Sequence, residues 1–196
     1  KSNQIGTPLE YFRKFFDDDI IANLVHQTNL YSTEKTGVSV DTSFNEICHF
    51  LGIHIIAGIV HMPSYRMYWA NETRFSPIAD VMSRNRFEKL RSCFHINDNS
   101  KIKTRDHPEY DKLFKVRPFI ESLKQNFEKI EPEEHNAVDE IMIPCKSHTA
   151  LKQYIKSKPH KWGIKMFARA GASGIVYDFD IYIGKGTTHE PSDLGI

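Results

Sequence analysis

Residues 137–144, Ala137-Val138-Asp139-Glu140-Ile141-Met142-Ile143-Pro144, mark the point where this chain changes texture. The run is short, apolar and closed by proline, which suits a strand better than a helix. Two similar runs follow, Gly163 to Ala168 (GIKMFA) and Gly174 to Ile183 (GIVYDFDIYI). The turn signal Gly171-Ala172-Ser173-Gly174 joins them. Three strands are therefore predicted after Pro132. Three strands make an incomplete sheet, so the expectation is a core that stops in mid-domain.

Upstream the signals are helical. Thr7-Pro8-Leu9-Glu10 is a capping box with proline in the first turn. Asp17-Asp18-Asp19 places negative charge beside the free N–H groups of a second helix, Ile20 to about Leu30. Ser43-Phe44-Asn45-Glu46 opens a third, apolar on nearly all sides through Val60, which predicts a central, buried helix ended by Pro63. Ser83 caps a fourth, with Phe87, Leu90 and Phe94 on one face and Arg84, Arg86, Lys89 and Arg91 on the others. From Lys115, the spacing Val116, Phe119, Ile120, Leu123, Phe127, Ile130 has the 3.6 period of a fifth. Helices first and strands after give an α+β chain, with a helical region over 1–134 and a sheet region over 135–196.

The 196 residues carry 26 Lys+Arg against 25 Asp+Glu, a net charge of +1 that hides strong segregation. Residues 1–83 hold six basic and nine acidic side chains, and residues 84–124 hold eleven and six. Residues 125–140 hold one lysine and six acids. From Ile141 to Tyr177 there is no acid, and Lys146, Lys152, Lys156, Lys158, Lys161, Lys165 and Arg169 give +7. Tyr154, His160, Trp162 and Phe167 are interleaved with them. Basic residues among aromatics suit phosphates and bases, whereas the alternative is a lysine-rich surface that only binds water. The three cysteines are widely spaced, which excludes a disulfide-dense scaffold and a four-cysteine zinc site. The longest apolar stretch, Ile53 to Val60, is too short to span a bilayer, so no membrane role is expected. No dinucleotide fingerprint, P-loop or nucleophile elbow occurs, so no nucleotide cofactor is expected.

Asp139 is the sharpest candidate for chemistry. A carboxylate inside an apolar strand must be solvated, paired or bound to a metal. A strand carboxylate next to a basic segment suits a hard divalent ion that also holds substrate phosphate. The competing reading is that Asp139 or Glu140 pairs with a lysine at the sheet edge. Asp178 and Asp180 alternate with apolar residues and read as outward-facing polar positions. His54 and His61 read as core or edge histidines, and Cys145-x-x-His148 offers too few ligands for zinc.

The run Val138 to Ile143, then Lys146, then Tyr154-Ile155-Lys156-Ser157-Lys158-Pro159-His160-Lys161-Trp162-Gly163-Ile164-Lys165, closely resembles the piggyBac transposase family. Phe50-Leu51-Gly52 with Gly58-Ile59, Pro63 to Tyr68-Trp69, Met82 to Phe87 and Phe94 to Asn99 match in the same order, so the likeness runs from about Thr7 to Gly186. It implies a helical dimerisation and DNA-binding region followed by the first three strands of an RNase H-like core. It also implies that Asp139 is the first of three catalytic aspartates holding two Mg2+ ions. Lys146, Lys152, Lys156, Lys158, Lys161, Lys165 and Arg169, with Arg84 and Arg86, become expected contacts to double-stranded DNA. Excision and integration at TTAA sites, homodimerisation and a nuclear location come with the same resemblance.

Two departures stand out. Where the family commonly has Gly-Arg after the Lys146 position, this chain has Ser147-His148. The D-N-x-F/Y motif of the second aspartate, the third aspartate and the cysteine-rich zinc module do not occur before Ile196. One carboxylate cannot hold two metals, so this polypeptide is expected not to cut DNA. Three readings follow: part of an active transposase, a domesticated DNA-binding descendant, or a protein-interaction and dimerisation module.

Overall fold

The computed structural model describes residues 5–184. Lys185, Glu190 and Asp193 of the acidic tail, and Gly186 at the end of the resemblance, lie outside them. The chain forms two compact units, 1–102 and 103–196.

The first unit is helical: α1 (Pro8–Phe15), α2 (Asp18–Thr36), α3 (Phe44–Ile59), α4 (Ser76–Ala79) and α5 (Arg84–Cys93), with a 3₁₀ turn at Tyr65–Trp69. The expected caps form. Thr7 and Glu10 close a capping box, and Asp17, Ser43 and Ser83 each accept a backbone N–H of the first turn. Val40, Phe50, Ile53, Tyr68, Ile78, Met82, Phe87 and Leu90 make the core.

Two expectations change here. Helix α2 runs six residues beyond Leu30 and stops at Gly37, whose φ of 74° supplies the left-handed cap. Its polar residues are tied to neighbouring segments. Asn29 donates to the Thr42 carbonyl and accepts its N–H, and Ser32 Oγ accepts the N–H of Val40. Thr28, fully buried, pairs with the backbone of His95. Helix α3 is not central. Ile47, Phe50 and Ile53 are buried, while Ile55 and Ile59 are 50% and 75% exposed, because the helix packs along one face only.

The second unit holds α6 (Arg117–Glu128) and four strands: β1 (Asn136–Pro144), β2 (Lys152–Tyr154), β3 (Trp162–Gly171) and β4 (Val176–Ile181). One strand more than expected is present, since the three-residue β2 (KQY) carries no apolar alternation to announce it. All pairings are antiparallel, and β3 is the centre: β1 lines one edge, β2 and β4 the other. Helix α6 packs on β4, with Phe127 edge-on to Phe179 at 5.8 Å. It therefore goes with the sheet, although it lies on the helical side of residue 134.

Gly163 fixes how closely β1 and β3 approach. A Cβ there would run into the Ile143 carbonyl oxygen, so any other residue would force the two strands apart. The β3–β4 turn is held by Glu133, whose carboxylate accepts from the backbone N–H and hydroxyl of Ser173 and from the Tyr177 hydroxyl. Gly174, at φ 85°, supplies the turn's left-handed residue.

Candidate nucleic-acid interface

Strand alternation sends neighbouring side chains of β1 to opposite faces. Asp139 lies across from Ala168, which lies across from Phe179. Glu140 lies across from Phe167, which lies across from Asp180. The two adjacent carboxylates thus belong to different faces of the sheet.

Asp139 is exposed, and its carboxylate accepts the backbone N–H of Glu140 at 2.7 Å. Among the described residues its strand, β1, pairs only with β3. Glu140 is the carboxylate that pairs with lysines. Lys165 Nζ is 2.7 Å from it and Lys158 Nζ 3.7 Å, and Lys158 also donates to the Glu140 carbonyl at 3.2 Å. The hydrogen bond from Lys165 holds the Glu140 carboxyl below its ordinary pKa, against the opposing effect of burial. Lys165 also lies 4.6 Å from the Phe167 ring centroid.

The remaining cations of the acid-free segment are differently placed. Lys146, Lys156 and Lys161 are exposed, and their ammonium groups make no hydrogen bond or ion pair with described residues. Arg169 is exposed on β3, between Val138 and Asp178 in register. Lys152 lies over the Trp162 ring at 5.6 Å. The stretch from Lys152 to Ile164 is a β-hairpin closed by the pairing of Tyr154 with Trp162 and by the Ile155 N–H on the Lys161 carbonyl.

In the first unit, Arg84 is exposed at the start of α5. Arg86 is engaged internally. It grips both oxygens of Glu46 at 2.5 and 2.6 Å and donates to the Val40 carbonyl at 2.9 Å. The guanidinium lowers the Glu46 pKa, again against burial. Sequence reasoning placed Arg86 on a basic face; its acidic partner lies 40 residues away, and no local pattern announces it.

Asp178 and Asp180 are not simply outward-facing. Both bind Lys124 of α6, at 3.4 and 2.7 Å. Burial opposes the Lys124 charge, but the two carboxylates outweigh it and raise its pKa. His54 is an exposed edge histidine against Phe50, and Cys145 and His148 gather no further ligands among the described residues.

Asp139 has the hard oxygen donors that magnesium prefers. Its neighbours do not complete a site. Glu140, Asp178 and Asp180 are committed to lysines, and no three His, Cys, Asp or Glu gather as a metal-binding group among the described residues. The described residues therefore do not fit a two-metal centre. Among them, too, no helix is long and apolar enough to cross a membrane.

Comparison with known proteins agrees with this arrangement. A family model described as Transposase IS4 matches residues 7–195. Human PiggyBac transposable element-derived protein 3 is 34% identical over 194 residues, covering 96% of this chain and 32% of its own length. Human PiggyBac transposable element-derived protein 2 is 31% identical over 183 residues, covering 92% and 30%. The chain thus spans about a third of the length of these relatives. A cryo-EM structure of a piggyBac transposase synaptic complex with hairpin DNA superposes with a TM-score of 0.79 at 27% identity, covering 94% of this chain and 40% of that one. Helical caps, antiparallel sheet and ordered motifs converge with these matches: the chain belongs to the piggyBac transposase family.

Proposed function

We propose that this chain is a DNA-binding portion of a piggyBac-type transposase-derived protein, with the sheet unit as a phosphate-contacting surface. The observation that carries this reading is the set of exposed ammonium groups, Lys146, Lys156 and Lys161, unpaired among the described residues and set in a 37-residue segment without one acid. Arg169, Lys152 and Arg84 add charge for the same role. Lys158 and Lys165 contribute after sharing Glu140, and Arg86 contributes mainly by supporting the helical unit. The sheet, in this reading, is the start of an RNase H-like core, and the helical unit serves dimerisation on DNA inside the nucleus.

Asp139 is read as one metal ligand of a larger site. Magnesium-dependent cleavage and strand transfer at TTAA need further carboxylates beyond those described. Binding without cutting is the activity proposed for this polypeptide. A domesticated, non-catalytic descendant is the second reading, favoured by Ser147-His148 where the family commonly has Gly-Arg.

Fluorescence anisotropy with a labelled 20-base-pair duplex tests the reading. Affinity should fall steeply between 50 and 200 mM salt, because each neutralised phosphate releases counterions. A salt-independent affinity, or no binding at 50 mM, overturns it.

A further inference from the structure

We propose that Tyr154 and Trp162 form a stacking platform for an unpaired nucleotide base, an inference that rests on the DNA-binding reading above. Tyr154 on β2 and Trp162 on β3 are register partners, with ring centroids 4.9 Å apart and planes inclined by 52°. Both rings face water, at 51% and 56% exposure. A pair of large aromatics serving a core would be buried, and these two are left open within a closed hairpin.

The surroundings select the occupant. Lys152 sits over the Trp162 ring at 5.6 Å, and Lys156 and Lys161 occupy the connecting turn, their ammonium groups without a partner among described residues. No acid lies between Ile141 and Tyr177. A flat apolar body carrying negative charge at its rim matches this surface, and a nucleotide has that form. A paired base inside a duplex hides both faces in the stack, so the base received here must be unpaired. Tyr154, Lys152 and Trp162 lie on the same sheet face as Asp139, following the alternation through Ile143 and Ile141. Trp162 lies six residue steps along β3 from Ala168, the partner of Asp139, which is about 20 Å along the sheet. The platform therefore holds a strand at a distance from the carboxylate.

The test uses the full chain and three labelled probes: a blunt 20-base-pair duplex, the same duplex with a three-nucleotide overhang, and a 12-nucleotide oligothymidylate. Trp162→Ala should weaken overhang and single-strand binding about tenfold or more. It should leave blunt-duplex affinity and its salt slope within about twofold. Trp162→Phe should restore most of the loss, and circular dichroism of each variant checks the fold. In the wild type, the overhang should quench tryptophan emission, and in Trp162→Phe, where Trp69 alone remains, it should not. Wild-type binding of blunt duplex with no gain from the overhang overturns the platform while leaving the DNA-binding reading intact. Equal loss on all three probes, or loss of self-association in Trp162→Ala with nucleic-acid affinity unchanged, also overturns it. Binding of none of the probes by the wild type overturns both.

Discussion

Glu140 binds Lys165 at 2.7 Å on the face of the sheet that Asp139 does not share. Adjacent in sequence, the two carboxylates have different work. Glu140 tempers the positive charge of Lys158 and Lys165, while Asp139 stays exposed and, among the described residues, pairs with no lysine.

Glu140→Gln should therefore tighten duplex binding at low salt, by about two- to tenfold, and steepen the salt dependence by about one phosphate contact. Asp139→Ala should change duplex affinity by less than about twofold. Anisotropy titrations across a salt series measure both. A stronger effect from Asp139→Ala than from Glu140→Gln would reverse the assignment.

Replacing Lys146, Lys156 and Lys161 together with Gln should lower the salt slope by about two to three units. The loss should be the same for duplexes of unrelated sequence, because phosphate contacts position a protein without reading bases. Titrating three duplexes of different composition checks the uniformity.

The Glu46–Arg86 pair should be a stability determinant. Arg86→Ala removes charge-assisted hydrogen bonds in a half-buried setting and should cost about 2 kcal/mol in urea unfolding. The pH dependence follows from Glu46, whose folded pKa is depressed below the ordinary 4.5 by Arg86. Its contribution is complete above that value and is lost as pH falls through the lower, folded one. Glu46→Gln should flatten the acid limb of the stability curve, while leaving its shape above pH 6 unchanged.

Gly163→Ala should disrupt the sheet unit, since the added methyl meets a backbone oxygen that cannot move without unpairing β1 from β3. A cost of about 1–3 kcal/mol is expected. Hydrogen exchange should show faster amides in β1 and β3, with α2 and α3 protected as before.

The features legible in the sequence were those with short-range causes. The caps at Thr7, Ser43 and Ser83 involve residues three apart, and the structure forms each of them. The AVDEIMIP run announced β1 to within one residue. What escaped has long-range causes. The last six residues of α2 carry polar side chains, such as Ser32, whose partner at Val40 comes from a separate segment. The openness of Ile59 depends on how many neighbours α3 acquires, which apolar content does not reveal. Of the lysines in the acid-free segment, the sequence could not single out Lys158 and Lys165. Their acceptor, Glu140, lies at least 18 residues upstream.

The opposed placement of Asp139 and Glu140 also sets what this region of the gene can tolerate. A strand is read in twos, so removing or adding one codon between Asp139 and Pro144 would misalign one part of β1 against β3. Either Asp139 would trade faces with Glu140, or the close approach at Gly163 would lose its match at Ile143. Length changes before Asn136 meet no such ladder. Insertions and deletions in descendants of this sequence should therefore accumulate upstream of Glu133, in residues 129–132, and leave the nine residues of β1 unaltered in number.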